Sequence, residues 1–129
     1  MSPKKIVRKS IEQQLDILAI CDHNSAENVQ VAMRLGAELG LCVLPGMEIG
    51  SKEEVHILGI FRVAEQALAT QEFVYSHLPG ENKVKLFGYQ VVVNENDDVQ
   101  GEVSRLLIGA SQLSLQDIVM KIRTLIISN

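Results

Sequence analysis

Only two of the 129 residues are cysteine, Cys21 and Cys42, and they are far apart in the chain. This excludes a disulfide-dense framework and fits a reducing compartment. No apolar run approaches the roughly 18 residues that a membrane span needs. The opening Met1-Ser2-Pro3-Lys4-Lys5 leads into Ile6-Val7-Arg8-Lys9, where charge recurs too soon for a signal-peptide apolar region. The expectation is a cytoplasmic protein with no membrane partner. Basic side chains are in the minority, 12 against 16 acidic, for a net charge of −4. That balance argues against duplex nucleic acid as a partner and leaves only a local basic patch open. The sequence has no phosphate-cradling glycine-rich loop, no Gly-x-Ser-x-Gly nucleophile elbow, no internal repeat and no low-complexity segment. What is present is ordinary globular composition, 47% hydrophobic and 22% charged, in a length suited to one domain over residues 1–129.

Ser2-Pro3 predicts a helix start, with a capping serine and proline at the first helical position, and the helical spacing runs to about Gln14. Leu15 to Cys21 is an apolar run with one charge, of the length and branching of a buried strand. A second helix is expected over 26–39, capped by Asn24 or Ser25 and closed by Gly40, with Gly36 as an unfavourable residue inside it. Leu41 to Leu44 is the next strand, interrupted by Pro45-Gly46, and Met47 to Ile49 extends it past a bend. Val55 to Phe61 is the third. Strands alternating with helices imply parallel β-α-β units, so the three strands around Ile17, Val43 and Ile57 are expected to be parallel. Beyond them a helix over 64–78, a strand within 86–93, an acidic turn at 94–98 and a final helix capped by Ser114 and Asp117 are expected. Residues 102–110 fit helix or strand.

The residues able to carry chemistry sit at strand ends. Asp22-His23-Asn24 closes the first strand, the end at which α/β active sites collect. There a histidine can ligate a metal and an adjacent aspartate can orient it; the same triplet also reads as a plain capping turn. Glu48 follows Pro45-Gly46-Met47 and either faces a cleft or is a solvated loop carboxylate. His56, between Val55 and Ile57, is either a ligand or a hydrogen-bonded strand histidine. Together His23, Glu48 and His56 make two imidazoles and a carboxylate, a set suited to Zn, Mn or Fe. Cys21 and Cys42 read as small core residues, and His77 as a side chain at a helix end.

The stretch from Leu15 to Ser25, ending Cys21-Asp22-His23-Asn24-Ser25, resembles the second motif of the polymerase and histidinol phosphatase (PHP) family. Pro45-Gly46-Met47-Glu48-Ile49 is similar to the family's Pro-Gly-x-Glu motif, and Glu54 to Phe61 to its next histidine-bearing strand. The three motifs stand in the family's order and cover roughly residues 1 to 61. The resemblance implies a distorted β/α barrel, here partial, with parallel strands and flanking helices. It also implies metal-dependent hydrolysis of a phosphoester, on a phosphorylated small molecule or nucleotide. By the same match His23, Glu48 and His56 are metal ligands for a divalent ion, and Asp22 is the acidic neighbour supporting them. The family's opening His-x-His strand and its later histidine and Asp-x-His motifs have no counterpart. The chain therefore corresponds to the middle of such a domain, with a site limited to one metal. The alternatives are a non-catalytic remnant serving as a metal-binding or interaction module, and a subunit whose site is completed by another chain. Strands apolar on both faces in a barrel that cannot close also predict a homo-oligomer.

Overall fold

A computed structural model describes residues 1–128. In chain order the elements are α1 (Pro3–Glu12), β1 (Ile17–Ile20), α2 (Val29–Leu39), β2 (Cys42–Gly50), β3 (His56–Ile60), α3 (Ala64–Tyr75), α4 (Val84–Phe87), β4 (Val91–Val93), β5 (Val99–Glu102) and α5 (Leu115–Ile127). The architecture is mixed α/β. One sheet has the order β1-β2-β3, and β4 and β5 form a separate hairpin. Among the described residues both sheets are open and no barrel closes.

Helix ends follow the expected local chemistry where capping side chains are free to act. The Ser2 hydroxyl accepts from the Lys5 amide at 3.4 Å, and Pro3 supplies the fixed φ of the first turn. At α5 the Ser114 hydroxyl accepts from the Asp117 amide at 3.1 Å, and the Asp117 carboxylate accepts from the Ser114 amide at 3.3 Å. Helix α2 begins at Val29, later than its sequence suggests, and the Asn24 side chain binds Gly50, Leu107 and Gly109 instead of capping it. Residues 84–87 form the short α4 where strand was expected to begin, and only 91–93 pair as β4.

β1 and β2 are parallel in the register Ile17 to Cys42 through Ile20 to Pro45. β3 is antiparallel to β2, with Gly46 opposite Ile60 and Gly50 opposite His56. The expectation of three parallel strands therefore fails at the third. A parallel return needs a crossover of a dozen or more residues, and only five, 51–55, separate β2 from β3. β2 also runs unbroken through Pro45-Gly46. Pro45 is the last β2 residue paired within β1 and Gly46 the first paired to β3, so the missing proline N–H falls at the junction of the two pairings.

One face of this sheet is covered. Val43, Met47 and Ile49 of β2 and Ile20 of β1 are buried against Val29, Ala32 and Leu35 of α2, Ala67 and Val74 of α3 and Ile118 and Ile122 of α5. α1 packs on α2 through Val7. Gly36 explains how α2 comes so close. A Cβ there would lie 2.5 Å from Val43 Cγ2 and 2.7 Å from the Leu41 carbonyl. Gly36→Ala should therefore lower unfolding stability by about 1–3 kcal/mol, the usual cost of overpacking. It does so although alanine is the better helix former by up to about 1 kcal/mol. Urea unfolding checks this; a stabilised variant would show that the helix can slide away at no cost.

Candidate metal centre

The other face of the sheet carries the candidate ligands. Side chains alternate along a strand, so with Met47 and Ile49 in the core, Glu48 points to the opposite side. The β1 chain continues past Ile20 in the same register, and His23 forms a parallel bridge with Glu48. The Glu48 amide donates to the Asp22 carbonyl at 3.0 Å, and the Asn24 amide to the Glu48 carbonyl at 2.7 Å. His23 is thereby locked beside Glu48. His56 opens β3 opposite Gly50, one step diagonally from Glu48.

The side chains meet at that point. The Glu48 carboxylate lies between the two imidazoles, 3.1 Å from His23 Nδ1 through Oε2 and 3.5 Å from His56 Nδ1 through Oε1. The rings stand edge to face with centroids 5.0 Å apart. One donor atom from each of His23, Glu48 and His56 lies within 4.8 Å of the others. His56 is more than half exposed, whereas His23 and Glu48 are two-thirds or more covered. Glycine is required beneath the site at Gly46, where a Cβ would lie 2.6 Å from Cys21 Sγ; at Gly50 a Cβ would make only ordinary contact with His23 Nε2, at 3.6 Å.

The donor set tests well against a divalent ion. Two imidazole nitrogens and one carboxylate oxygen are the ligand types that Zn, Mn and Fe(II) accept, and three protein ligands leave positions open for water or substrate. Side-chain rotations of under an ångström would bring donors spaced this way within bonds of about 2 Å. Cys21 is not among the three converging donors; burial pushes its thiol up, and the neighbouring Asp22 and Glu48 charges add to the effect.

Asp22 is not one of the three converging donors. Its carboxyl hydrogen-bonds the Asn28 side chain, and burial holds its pKa above the usual carboxylate range. His23 Nδ1 is already occupied by Glu48. What Asp22 gives the site directly is its carbonyl, which holds the Glu48 amide.

Asn24 matters more than a turn residue would. It is fully buried with φ +53°. Its amide nitrogen donates to the carbonyls of Leu107 and Gly109 at 2.9 and 2.8 Å, and its Oδ1 accepts from the Gly50 amide at 2.9 Å. It ties the 107–109 segment to the site end of the sheet. Behind it, the Tyr75 hydroxyl lies 3.3 Å from both Ser25 Oγ and Glu27 Oε1, and burial pushes the phenol up to about 12. A cavity of about 540 Å3 opens beside His23, walled by Asp22, Tyr89, Val91, Leu107 and Ile108.

No family model matches the chain. A 5′-3′ exoribonuclease of Haemophilus influenzae is 30% identical over 63 residues, 46% of this chain and 23% of that protein. The chain thus spans less than a quarter of the length of this curated relative. Among solved structures, a Bifidobacterium adolescentis protein provisionally described as a metal-dependent phosphoesterase aligns with a TM-score of 0.48 and 24% identity, over 60% of this chain and 29% of that one. No helix among the described residues is long and apolar enough to cross a membrane.

Proposed function

We propose that His23, Glu48 and His56 hold one divalent metal ion, and that the centre belongs to phosphoester hydrolysis. The observation that carries the reading is the convergence of three ligand-type donor atoms within 4.8 Å at one end of the sheet. The order of the PHP-like motifs supports the reaction class. So does the stretch shared with the exoribonuclease, whose name denotes cleavage of a phosphodiester. The ion, once held, supplies Lewis acidity toward a phosphoryl oxygen and toward water.

The chain's own residues then have distinct roles. Glu48 stands between the two imidazoles, 3.1 and 3.5 Å from their Nδ1 atoms, and would be the anionic member of the ligand set. Asp22 is a positioning residue, acting through its carbonyl on the Glu48 strand. The cavity beside His23 would take the organic part of the substrate, a phosphorylated small molecule or nucleotide.

Catalysis by these residues alone should be weak. Two-metal sites clamp both the attacking and the leaving oxygen, and among the described residues a single three-donor group is present. With Mn or Zn added, slow hydrolysis of bis-p-nitrophenyl phosphate or p-nitrophenyl phosphate is expected, disappearing in His23→Ala. Fast turnover would contradict the one-metal reading. Turnover that survives His23→Ala would place the chemistry elsewhere. Metal binding without any hydrolysis would favour the non-catalytic module.

A further inference from the structure

We propose that the cavity beside His23 takes one flat, uncharged ring, and that Tyr89 selects it. The substrate would then be an ester that carries a single phosphate and an aromatic or heteroaromatic group. This rests on the phosphoester reading of the metal centre, since the ion is what would hold the phosphate. Two exposed side chains line the cavity on backbone that is clamped. Tyr89 is 72% exposed and Ile108 64%. Next to Tyr89, the Gln90 carboxamide donates to the Val103 and Arg105 carbonyls at 2.8 and 2.6 Å, and its Oε1 accepts from the Leu107 amide at 3.1 Å. Ile108 lies between the two residues whose carbonyls Asn24 grips. Neither the Tyr89 hydroxyl nor its ring has a partner among the described residues. Large apolar side chains left open to water on anchored backbone mark a ligand wall, and Val91, Val93 and Leu107 continue it. An aromatic side chain there favours a second ring in offset or edge-to-face contact. At about 540 Å3 the space is of small-molecule size.

Charge selects against a second anion on that ring. Among the described residues no lysine or arginine side chain lines the cavity, whereas two acidic ones do, Asp22 and Glu27. The Met1 ammonium acts on Asp22 and offsets one of them. Arg105 is the basic residue within the wall segments 89–93 and 103–108, and it is engaged elsewhere. Its Nη1 donates to the Tyr75 carbonyl at 2.8 Å, and its guanidinium lies 5.1 Å from the Tyr75 ring centroid. A carboxylate or a second phosphate entering this space would give up water without gaining a cationic side chain.

NMR titration of the zinc-loaded full chain with four esters tests this. p-Nitrophenyl phosphate and adenosine 5′-monophosphate should bind about 10-fold more tightly than methyl phosphate, roughly what stacking of one ring is worth. 4-Carboxyphenyl phosphate has the shape of the nitro ester and one more negative charge, and it should bind several-fold more weakly. Tyr89→Ala should weaken the two ring esters about 10-fold and leave methyl phosphate unchanged, and Tyr89→Phe should restore them. Ile108→Ala is the second variant, should Tyr89→Ala fail to fold. A lead for the adenosine ester supports the proposal with a nucleoside as the source of the ring; a lead for the nitro ester supports it with a simple aryl group. Ring esters that bind no better than methyl phosphate overturn it. So does a Tyr89→Ala chain that keeps their affinity, or a carboxylated ring held as well as the nitrated one. Glu48→Gln keeps the two readings apart. It should abolish methyl phosphate binding; if it changes nothing while the Tyr89 effect stands, the metal centre falls and the ring site does not.

Discussion

Saturating zinc or manganese is expected to raise the melting temperature by roughly 10 °C, and Glu48→Gln to abolish the rise. A ligand that binds only the folded state at 100 times its dissociation constant stabilises by about 2.7 kcal/mol. For a chain of this length each kcal/mol is worth roughly 3–4 °C. The unfolded chain cannot hold the three donors together, because Glu48 lies 25 residues after His23 and meets it only through the β1–β2 register. Glu48→Gln keeps the side chain's size and removes the anionic ligand. Without metal its effect on stability should be small. The two imidazole contacts it disrupts are partly exposed, and even full ion pairs in that setting are typically worth about 1 kcal/mol or less. His56→Ala gives the same pattern at a more exposed position. Calorimetric titration should show one ion per chain, with affinity falling about 100-fold or more in either variant, since even outer-shell changes cost 10–100-fold. A wild type that gains no stability from metal, or a gain that Glu48→Gln retains, would remove the metal centre and with it the proposed hydrolysis.

The four longer helices and the three central strands were legible because their signals are local, whereas the short α4 was read as the start of a strand. Ser2-Pro3 and Ser114 to Asp117 carry their caps within four residues, and the apolar runs around Ile17, Val43 and Ile57 are strands by composition alone. The direction of β3 was also legible, through the five-residue 51–55 connection, but alternation of helix and strand suggested the wrong answer. Convergence of His23, Glu48 and His56 needed two separate registers, one parallel and one antiparallel, and no spacing in the sequence encodes either. The motif resemblance pointed to the three residues without placing them. What Asn24 does was not legible. Asn after His in a turn reads as a cap, whereas its partners Leu107 and Gly109 lie 83 and 85 residues away in a segment with no regular structure.

Asn24→Ala is accordingly expected to cost about 3–4 kcal/mol, out of the 5–15 kcal/mol that holds a domain of this size together. The side chain makes three hydrogen bonds from a fully buried position. Each is worth about 1 kcal/mol, and the deserted Gly50 amide and the two carbonyls add the penalty of buried polar groups left unpaired. The backbone contributes too, since φ +53° suits asparagine better than alanine. Loss of the tie should free residues 107–109 first, so protease cleavage there should precede global unfolding. Asn24→Asp separates the hydrogen bonding from the shape. Its first oxygen still accepts from the Gly50 amide, while the second faces the Leu107 and Gly109 carbonyls and repels both. That repulsion raises the folded-state pKa of the new carboxyl above its unfolded value of about 3.9. The sign follows from linkage. The charged form is the destabilised one, so the deficit relative to wild type is full above the folded pKa and shrinks as pH falls through it. Protonated, the carboxyl donates to one of the two carbonyls, so the gap narrows without closing. Urea unfolding of both proteins at pH 7 and pH 4.5 reads this directly. A deficit that is constant across that range would mean that the Asn24 amide is not what holds the 107–109 carbonyls.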